Sequence, residues 1–450
     1  MRYTSLLTGA ALTVVAALPA SAETIEIGIG HQSTVTNTVP GGIILERLQL
    51  LEKHLPTDGR YADVDYQIVY QDYTSGPPIT NQMLAGKLAF GVMGDYPLIV
   101  NGAKFEASGN AVTRFIAVTG YNLKGTGNGI VVPVASDVYS LEDLAGKTIS
   151  TPVGSAAWGM TLKALRDADL IDKVSIQNQA PPVGVANIAQ GKIDAHSDFC
   201  PWSEVMEFRG TGRKIFDGSE AGIPTFHGTV VLKSFADEYP EIVQAYIDAT
   251  MEAQDWISED PVNAATQVSE WTGIEKEVLY LYFSEGGIST FEASIKPQWV
   301  EALKYDHALL ARETDLTPLD FDSWIDPTFV RAGFEARGLD YEEQLTEVVS
   351  SEPGAPGLAP AEMWVEGEGI ETFDSIEAMT EAAASVAAEG GTVLATYVYD
   401  KASGLKLFGH VAFYVEAEGG ELTAFMKKGD ADAFAAETGG AVVAWNAIAS

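Results

Sequence analysis

The sequence predicts an α/β protein that carries a separate, small α+β unit near its C-terminal end. Three observations lead to that reading. Strand and helix patterns alternate over residues 24–167, as in α/β layers with largely parallel pairing. Residues 350–360 (SSEPGAPGLAP) are rich in Pro, Gly and Ala and read as a linker. Beyond the linker the pattern changes to short strands around a helix. A chain of 450 residues suits roughly two to four structural units of ~100–200 residues each.

The elements follow in order. Residues 24–30 (TIEIGIG) alternate with the period of a half-buried strand. Apolar spacing over 41–55 predicts a helix. Residues 64–70 alternate again and predict a second strand. The run 73–78 (YTSGPP) is a turn that opens a helix over 79–85. A strand over 88–93 ends in Gly94-Asp95-Tyr96-Pro97. Further strands are predicted over 115–119, 129–132 and 147–150. The last leads through Pro152-Val153-Gly154-Ser155 into a helix over 156–167. From 237 to 348 the pattern is mostly helical. In the C-terminal unit, 392–399 and 410–415 predict strands and 430–437 a helix.

Hydrophobic residues make up 46% of the chain and aromatics 10%, enough for packed cores. Against 27 Lys+Arg stand 63 Asp+Glu, a formal net charge of −36. This excludes a nucleic-acid partner, which needs clustered Lys and Arg to neutralise phosphates. It equally disfavours docking on anionic membranes. Residues 358–450 alone hold 4 Lys+Arg and 15 Asp+Glu, so the acidity is a general surface property. Arg2, the apolar run 6–18 and Ala20-Ser21-Ala22 form the pattern of a secretory signal peptide cleaved before Glu23. The run is shorter than the about 20 apolar residues of a spanning helix. No cysteine stands near the cleavage site, so no membrane anchor is expected. Cys200 is the single cysteine and cannot form an internal disulfide. The expected location is the periplasm of a Gram-negative bacterium, and the expected state a monomer.

Four ordered motifs carry a family resemblance. They are MLAGKLAFGVMGDYP (83–97), SLEDLAGKTISTPVGSAAWGMTLKAL (140–165), IAQGKIDAHSDFCPW (188–202) and YPEIVQAYIDATMEAQDWISEDP (239–261). Over 23–348 the chain resembles the periplasmic substrate-binding proteins of ABC importers, in the nitrate/sulfonate/taurine class. That resemblance implies the two-lobed type II periplasmic binding protein fold. Lobe one would comprise 23–117 and 227–348, and lobe two 118–226. It also implies a small-molecule solute held between the lobes, and membrane permease subunits as partners. No cofactor and no catalytic residue is expected. An enzyme of pyrimidine synthesis shares this fold but uses a Cys-rich iron segment, which one cysteine cannot supply. Neither G-x-S-x-G nor H-E-x-x-H occurs, so hydrolase readings lack their motifs.

Solutes of open α/β sheets sit beyond the carboxyl ends of strands, at the helix starts that follow. His31 and Gln32 follow the first strand. Ser75 and Gly76 precede a helix. Asp95 and Tyr96 follow the third strand. Ser155 and Ala156 sit at a helix N-terminus, whose unpaired amides and dipole suit an anion. Tyr121, Asp198, Trp202 and His227 complete the candidate ligand-binding set. Ser155 equally suits an N-cap, Asp95 a cap of the next helix, and the histidines and Trp202 a structural role. A sulfonate suits the helix start at Ala156. Asp95 and Asp198 would oppose an anion if both faced the cleft unpaired, so a neutral or cationic nitrogenous solute stays open.

The C-terminal unit, 361–450, carries a second resemblance, through FDSIEAM (373–379), ATYVYDKASGLKL (395–407), HVAFYVEA (410–417) and LTAFMKKGDADAFAAETGG (422–440). It is similar to the NosL-like copper-binding accessory proteins of nitrous oxide reductase. Its cysteine-bearing metal segment is reduced here to Ala361-Glu362-Met363. Cu(I) prefers soft sulfur ligands, and the remaining candidates are Met363, Met379, His410 and Met426. The alternative function is therefore periplasmic copper handling through this unit. The departures favour a degenerate module.

Overall fold

The computed structural model describes residues 23–109, 112–346 and 357–449. The signal-peptide pattern and residues 347–356, which include the first part of the linker stretch, lie outside them.

Two five-stranded sheets form the lobes. The first uses β1 (Thr24–His31), β2 (Asp65–Asp72), β3 (Phe90–Gly94), β4 (Thr113–Asn122) and β10 (Thr225–Leu232), in the order β2-β1-β3-β10-β4. The second uses β5 (Gly129–Pro133), β6 (Thr148–Thr151), β7 (Ser175–Asn178), β8 (Ala195–Asp198) and β9 (Gly212–Asp217), in the order β7-β6-β8-β5-β9. The chain passes from one sheet to the other after β4 and returns into β10. Largely parallel pairing, as the alternating pattern predicts, holds for only half of each sheet. β1 runs parallel to β2 and β3, but β10 is antiparallel to β3 and β4. β6 runs parallel to β7 and β8, but β5 is antiparallel to β8 and β9. The reason is the double crossing. β5 and β10 each arrive from the other lobe rather than from a covering helix, so each enters its sheet in the reverse sense.

Local chemistry sets the element ends. The helix predicted over 41–55 is broken at Gln49, whose φ of 54° puts it in the left-handed region, and gives two short helices, Ile43–Leu48 and Leu50–His54. The helix Ala156–Asp167 starts at Ser155, whose Oγ accepts the Trp158 amide at 3.3 Å. Gly154 makes the turn before it with a φ of 86°, a conformation that favours glycine.

Inside lobe two, Lys214 is buried among three carboxylates, at 2.5 Å from Glu204, 3.5 Å from Asp217 and 3.7 Å from Glu207. Burial disfavours its cation, but the facing charges outweigh that and hold its pKa above the ordinary lysine value. Glu207, desolvated more than Lys214 compensates, is pushed up to about 7. The hydroxyl of Tyr282, from the helix Lys276–Phe283, donates to Glu204.

The C-terminal unit contains two antiparallel sheets. β11 (Ala361–Val365), β12 (Gly369–Phe373), β13 (Val393–Tyr399) and β14 (Lys406–Phe408) form the first, and β15 (Phe413–Glu416), β16 (Leu422–Phe425) and β17 (Ala441–Val443) the second. The strand predicted over 410–415 begins later, because His410 lies in a 3-10 turn, Gly409–Val411. Met363, Met379 and Met426 are buried in the main apolar cluster. The His410 ring packs beside Phe408 at 5.6 Å and Phe208 at 6.2 Å. The candidate Cu(I) ligands thus take part in packing.

This unit is docked through buried polar groups on the helix Lys276–Phe283 and the turn after it. Lys406 Nζ lies 2.8 Å from Glu362 and 2.8 Å from Ser284 Oγ, and the Tyr280 hydroxyl donates to Glu362 at 2.8 Å. Lys406 is also 5.1 Å from the Tyr280 ring centre. Removing one member of a buried pair strands the other. Lys406→Met is therefore expected to cost about 3–5 kcal/mol of unfolding free energy, while the double change Lys406→Met, Glu362→Leu recovers most of it. Denaturant unfolding checks this, and a loss in the single variant below about 1 kcal/mol, the range of an exposed pair, would show that the pair does not hold the interface.

Candidate ligand-binding site

A cavity of about 350 Å³ lies between the lobes. Lobe one contributes Gln32 at the end of β1, Ser75 to Pro78, Gly94 and Pro97, and His227 on β10. Lobe two contributes Pro152, Val153, Ser155 and Ala156, with Asn178, Ala180, Pro181 and Phe199. Every segment is a strand end or the start of the next helix. The helices Gly76–Leu84, Asp95–Ser108 and Ala156–Asp167 all begin at its wall. The first-turn amides of a helix have no intrahelical acceptor, and the dipole adds partial positive charge there.

No Lys, Arg, Asp or Glu stands among the described lining residues. The polar groups are neutral. Ser155 Oγ accepts the Trp158 amide, which leaves its proton to donate elsewhere. Asn178 Oδ1 accepts the Val153 amide at 3.1 Å, which leaves its NH₂ group. His227 is buried and pushed down to about 3 by desolvation, so its ring is neutral. Its Nδ1 has no partner, and its Nε2 would lie 3.2 Å from a Cβ at Gly94. The remaining wall is apolar, with Pro77, Pro78, Pro97, Pro152, Pro181, Val153 and Phe199.

A second, much smaller cavity of about 30 Å³ adjoins the first through Ala156. It encloses Asp95 and Tyr96 of the helix Asp95–Ser108, and Asp306 of the helix Pro297–Glu313. Tyr96 reaches across to lobe two. A Cβ at Gly159 would overlap the Tyr96 hydroxyl, so ring and helix backbone are in direct contact. Next to this contact Arg166 of lobe two pairs with Glu313 of the Pro297–Glu313 helix. The lobes are therefore closed on each other.

Of the twelve residues singled out in the sequence, Gln32, Ser75, Gly76, Ser155, Ala156 and His227 line the main cavity. Asp95 and Tyr96 line the small one. Asp95 Oδ2 accepts the Thr225 hydroxyl at 2.6 Å, and Oδ1 the Tyr96 amide at 2.7 Å, so the carboxyl faces away from the main cavity. The other four lie elsewhere. His31 is buried 3.9 Å from Asp72, and desolvation pushes it down to about 4. Tyr121 packs on Trp299 at 4.6 Å in lobe one. Trp202 is buried at the start of the helix Trp202–Phe208. Asp198 pairs with His196 Nε2 at 2.8 Å, and His196 Nδ1 lies 2.8 Å from Ser150 Oγ. This Ser-His-Asp row has the look of a nucleophilic triad, but all three side chains are fully buried and none lines either cavity. Asn178, Phe199 and the five prolines were missed in the sequence. Only their places at or shortly after the ends of strands 65–72, 90–94, 148–151, 175–178 and 195–198 could have signalled them.

Comparison with known proteins agrees with this geometry. Residues 59–264 match the NMT1/THI5 like family. The taurine-binding periplasmic protein of Escherichia coli (strain K12) is 29% identical over 191 residues, which are 41% of this chain and 56% of that protein, so the chain spans little more than half of that relative. An Escherichia coli (strain K12) protein named for the binding of aliphatic sulfonates is 22% identical over 310 residues, 68% of this chain and 90% of its own. The solved alkanesulfonate-binding protein SsuA from Xanthomonas axonopodis pv. citri, bound to MOPS, superposes with a TM-score of 0.56 at 20% identity, over 68% of this chain and all of that one. Residues 59–264 thus match the NMT1/THI5 like family model, and the two-lobed part of the chain shares the fold of that solved alkanesulfonate-binding protein.

Proposed function

We propose that the protein is the periplasmic solute-binding component of an ABC importer, and that its solute is an organic anion of the sulfonate class, delivered to membrane permease subunits. The observation that carries this is the lining of the main cavity. Helix starts, serine hydroxyls, an asparagine amide and a neutral histidine converge on a space with no ionised side chain. Such a site favours an oxyanion by hydrogen bonds and helix dipoles. A cationic amine would find no counter-charge there. The proline-rich remainder of the wall suits an apolar organic tail, which inorganic nitrate lacks. The volume falls in the ordinary range for small organic ligands. The relatives are named for the binding of taurine and of aliphatic sulfonates, which supports the class.

The role needs no covalent step. Capture follows from closing the lobes, and closing presents both lobes as one surface to a permease.

Thermal unfolding with taurine, butanesulfonate, nitrate and a primary amine tests the reading. A ligand at 100 times its Kd stabilises by about 2.7 kcal/mol. Butanesulfonate is expected to raise Tm most, taurine less because its ammonium group finds no counter-charge, and the simple amine to leave it unchanged. A rise with the amine alone would overturn the assignment. Ser155→Ala is expected to weaken sulfonate binding by about 1–3 kcal/mol, since it leaves the anion short of a donor. Isothermal titration reads that loss directly, and unchanged affinity would take Ser155 out of the site. Gly159→Leu places a side chain where the Tyr96 ring must sit. It is expected to hold the lobes apart and to reduce affinity by at least about tenfold, or about 1.4 kcal/mol, at unchanged helix content.

A further inference from the structure

The small cavity between the lobes has no place in solute recognition, yet it encloses two carboxyl groups. Asp306 is fully buried there, with the Tyr96 hydroxyl as its hydrogen-bond donor. Asp95 faces the same space and is held by Thr225 and the amides of Tyr96 and Phe226. The other titratable groups that line the cavity are Tyr96 and Tyr305 from lobe one and Lys163 from lobe two. Lys163 is paired with Asp167 on its own helix. The segments 125–128 and 218–225 contribute no titratable side chain to the lining. Lobe two supplies the lid. Gly159 and Met160 cover the carboxyls, and Gly159 touches Tyr96 itself.

We propose that closure of the two lobes takes up a proton at Asp306, because closing seals that carboxyl beside Asp95, out of water and without a cation of its own. With the lobes apart, water reaches both groups and each ionises in the ordinary carboxylate range. With the lobes together, burial and the neighbouring Asp95 both oppose a charge on Asp306 and raise its pKa well above that range. Asp95 itself is pushed up to about 6, by burial against its hydrogen bonds. The sign follows from linkage. A group that binds its proton more tightly in the closed form favours closing at low pH. The closed population then falls by up to about tenfold per pH unit between the open-form and closed-form pKa values, and levels off above the latter. Tyr96 couples this proton to the lobe contact, since one hydroxyl both donates to Asp306 and rests on Gly159.

The test follows the lobes and not the solute, so failure of the sulfonate reading leaves it intact. Spin labels go on Glu106→Cys in lobe one and Lys192→Cys in lobe two, both exposed, while the native Cys200 is buried. Pulsed-resonance distances are recorded from about pH 5.5 to about pH 8.5, the window in which a raised carboxyl loses its proton. The short-distance population is expected to fall as pH rises. In Asp306→Asn, an isostere of the protonated acid, only Asp95, pushed up to about 6, still titrates, so the population is expected to level off just above that pH and stay constant at higher pH. In Asp95→Asn, which removes the facing charge, the fall is expected to end at lower pH. A distance distribution that does not change with pH in the labelled parent overturns the proposal by itself. So does a fall that continues in Asp306→Asn well above the about 6 of Asp95, or one left unmoved by Asp95→Asn.

Discussion

The contact between the Tyr96 ring and the bare backbone of Gly159 is the interaction on which both cavities depend. Helix backbones are screened from one another by their side chains. A tyrosine from one lobe reaches the backbone of a helix in the other only where the facing residue has no Cβ. Once it does, the N-terminus of the Ala156–Asp167 helix is brought against the ends of β1, β3 and β10. Ala156 then borders the solute cavity on one side and the carboxyl cavity on the other. A small shift at Gly159 is therefore felt in both. Packed interfaces of this kind have few intermediate positions, which suits a protein that must be open or closed.

The charge of the chain and the charge of its site are opposite problems. A net charge of −36 repels an anion at a distance. That field is screened beyond about 8–10 Å at physiological salt, and the donors in the cavity act at hydrogen-bond range. The Asp95 carboxyl, next in the chain to the lining residue Gly94, is removed from competition by its own bonds. Asp95 spends its oxygens on Thr225, Tyr96 and Phe226 and turns away from the solute cavity.

The C-terminal unit is held as part of the same core. Its buried lysine and glutamate meet a tyrosine and a serine of the two-lobed body. It also reaches lobe two, where Lys427 pairs with Glu220 at 2.7 Å and Phe408 packs on Phe208 at 5.2 Å. The desolvated Lys406–Glu362 pair makes the join at the helix Lys276–Phe283 a lasting interface, not that of a tethered domain that tumbles on its linker. The partly exposed Lys427–Glu220 pair and the Phe408–Phe208 contact, by contrast, must part when the lobes open.

The sequence by itself determined the first strands of each lobe, the helices after them and several of the places where a solute could sit, but left strands such as 175–178, 212–217 and 225–232 unmarked. Strand alternation is a local signal, and the end of a strand is where the next helix offers its amides, so Gln32, Ser75, Ser155 and Ala156 were legible one segment at a time. The tertiary structure alone decided which of these places meet. Asp95, Asp198 and Trp202 stand at the same kind of position as Ser155, yet two turn into buried hydrogen bonds and one into packing. Direction in space, not position in the chain, separates them. The reversal of β5 and β10 and the pairing of Tyr96 with Gly159 depend on where the chain goes after leaving one lobe. No local periodicity carries that information, because the contacts join residues separated by half a domain or more. The acidity that dominates the composition is likewise silent on the solute. What decides the site is the handful of neutral donors that folding brings to one wall.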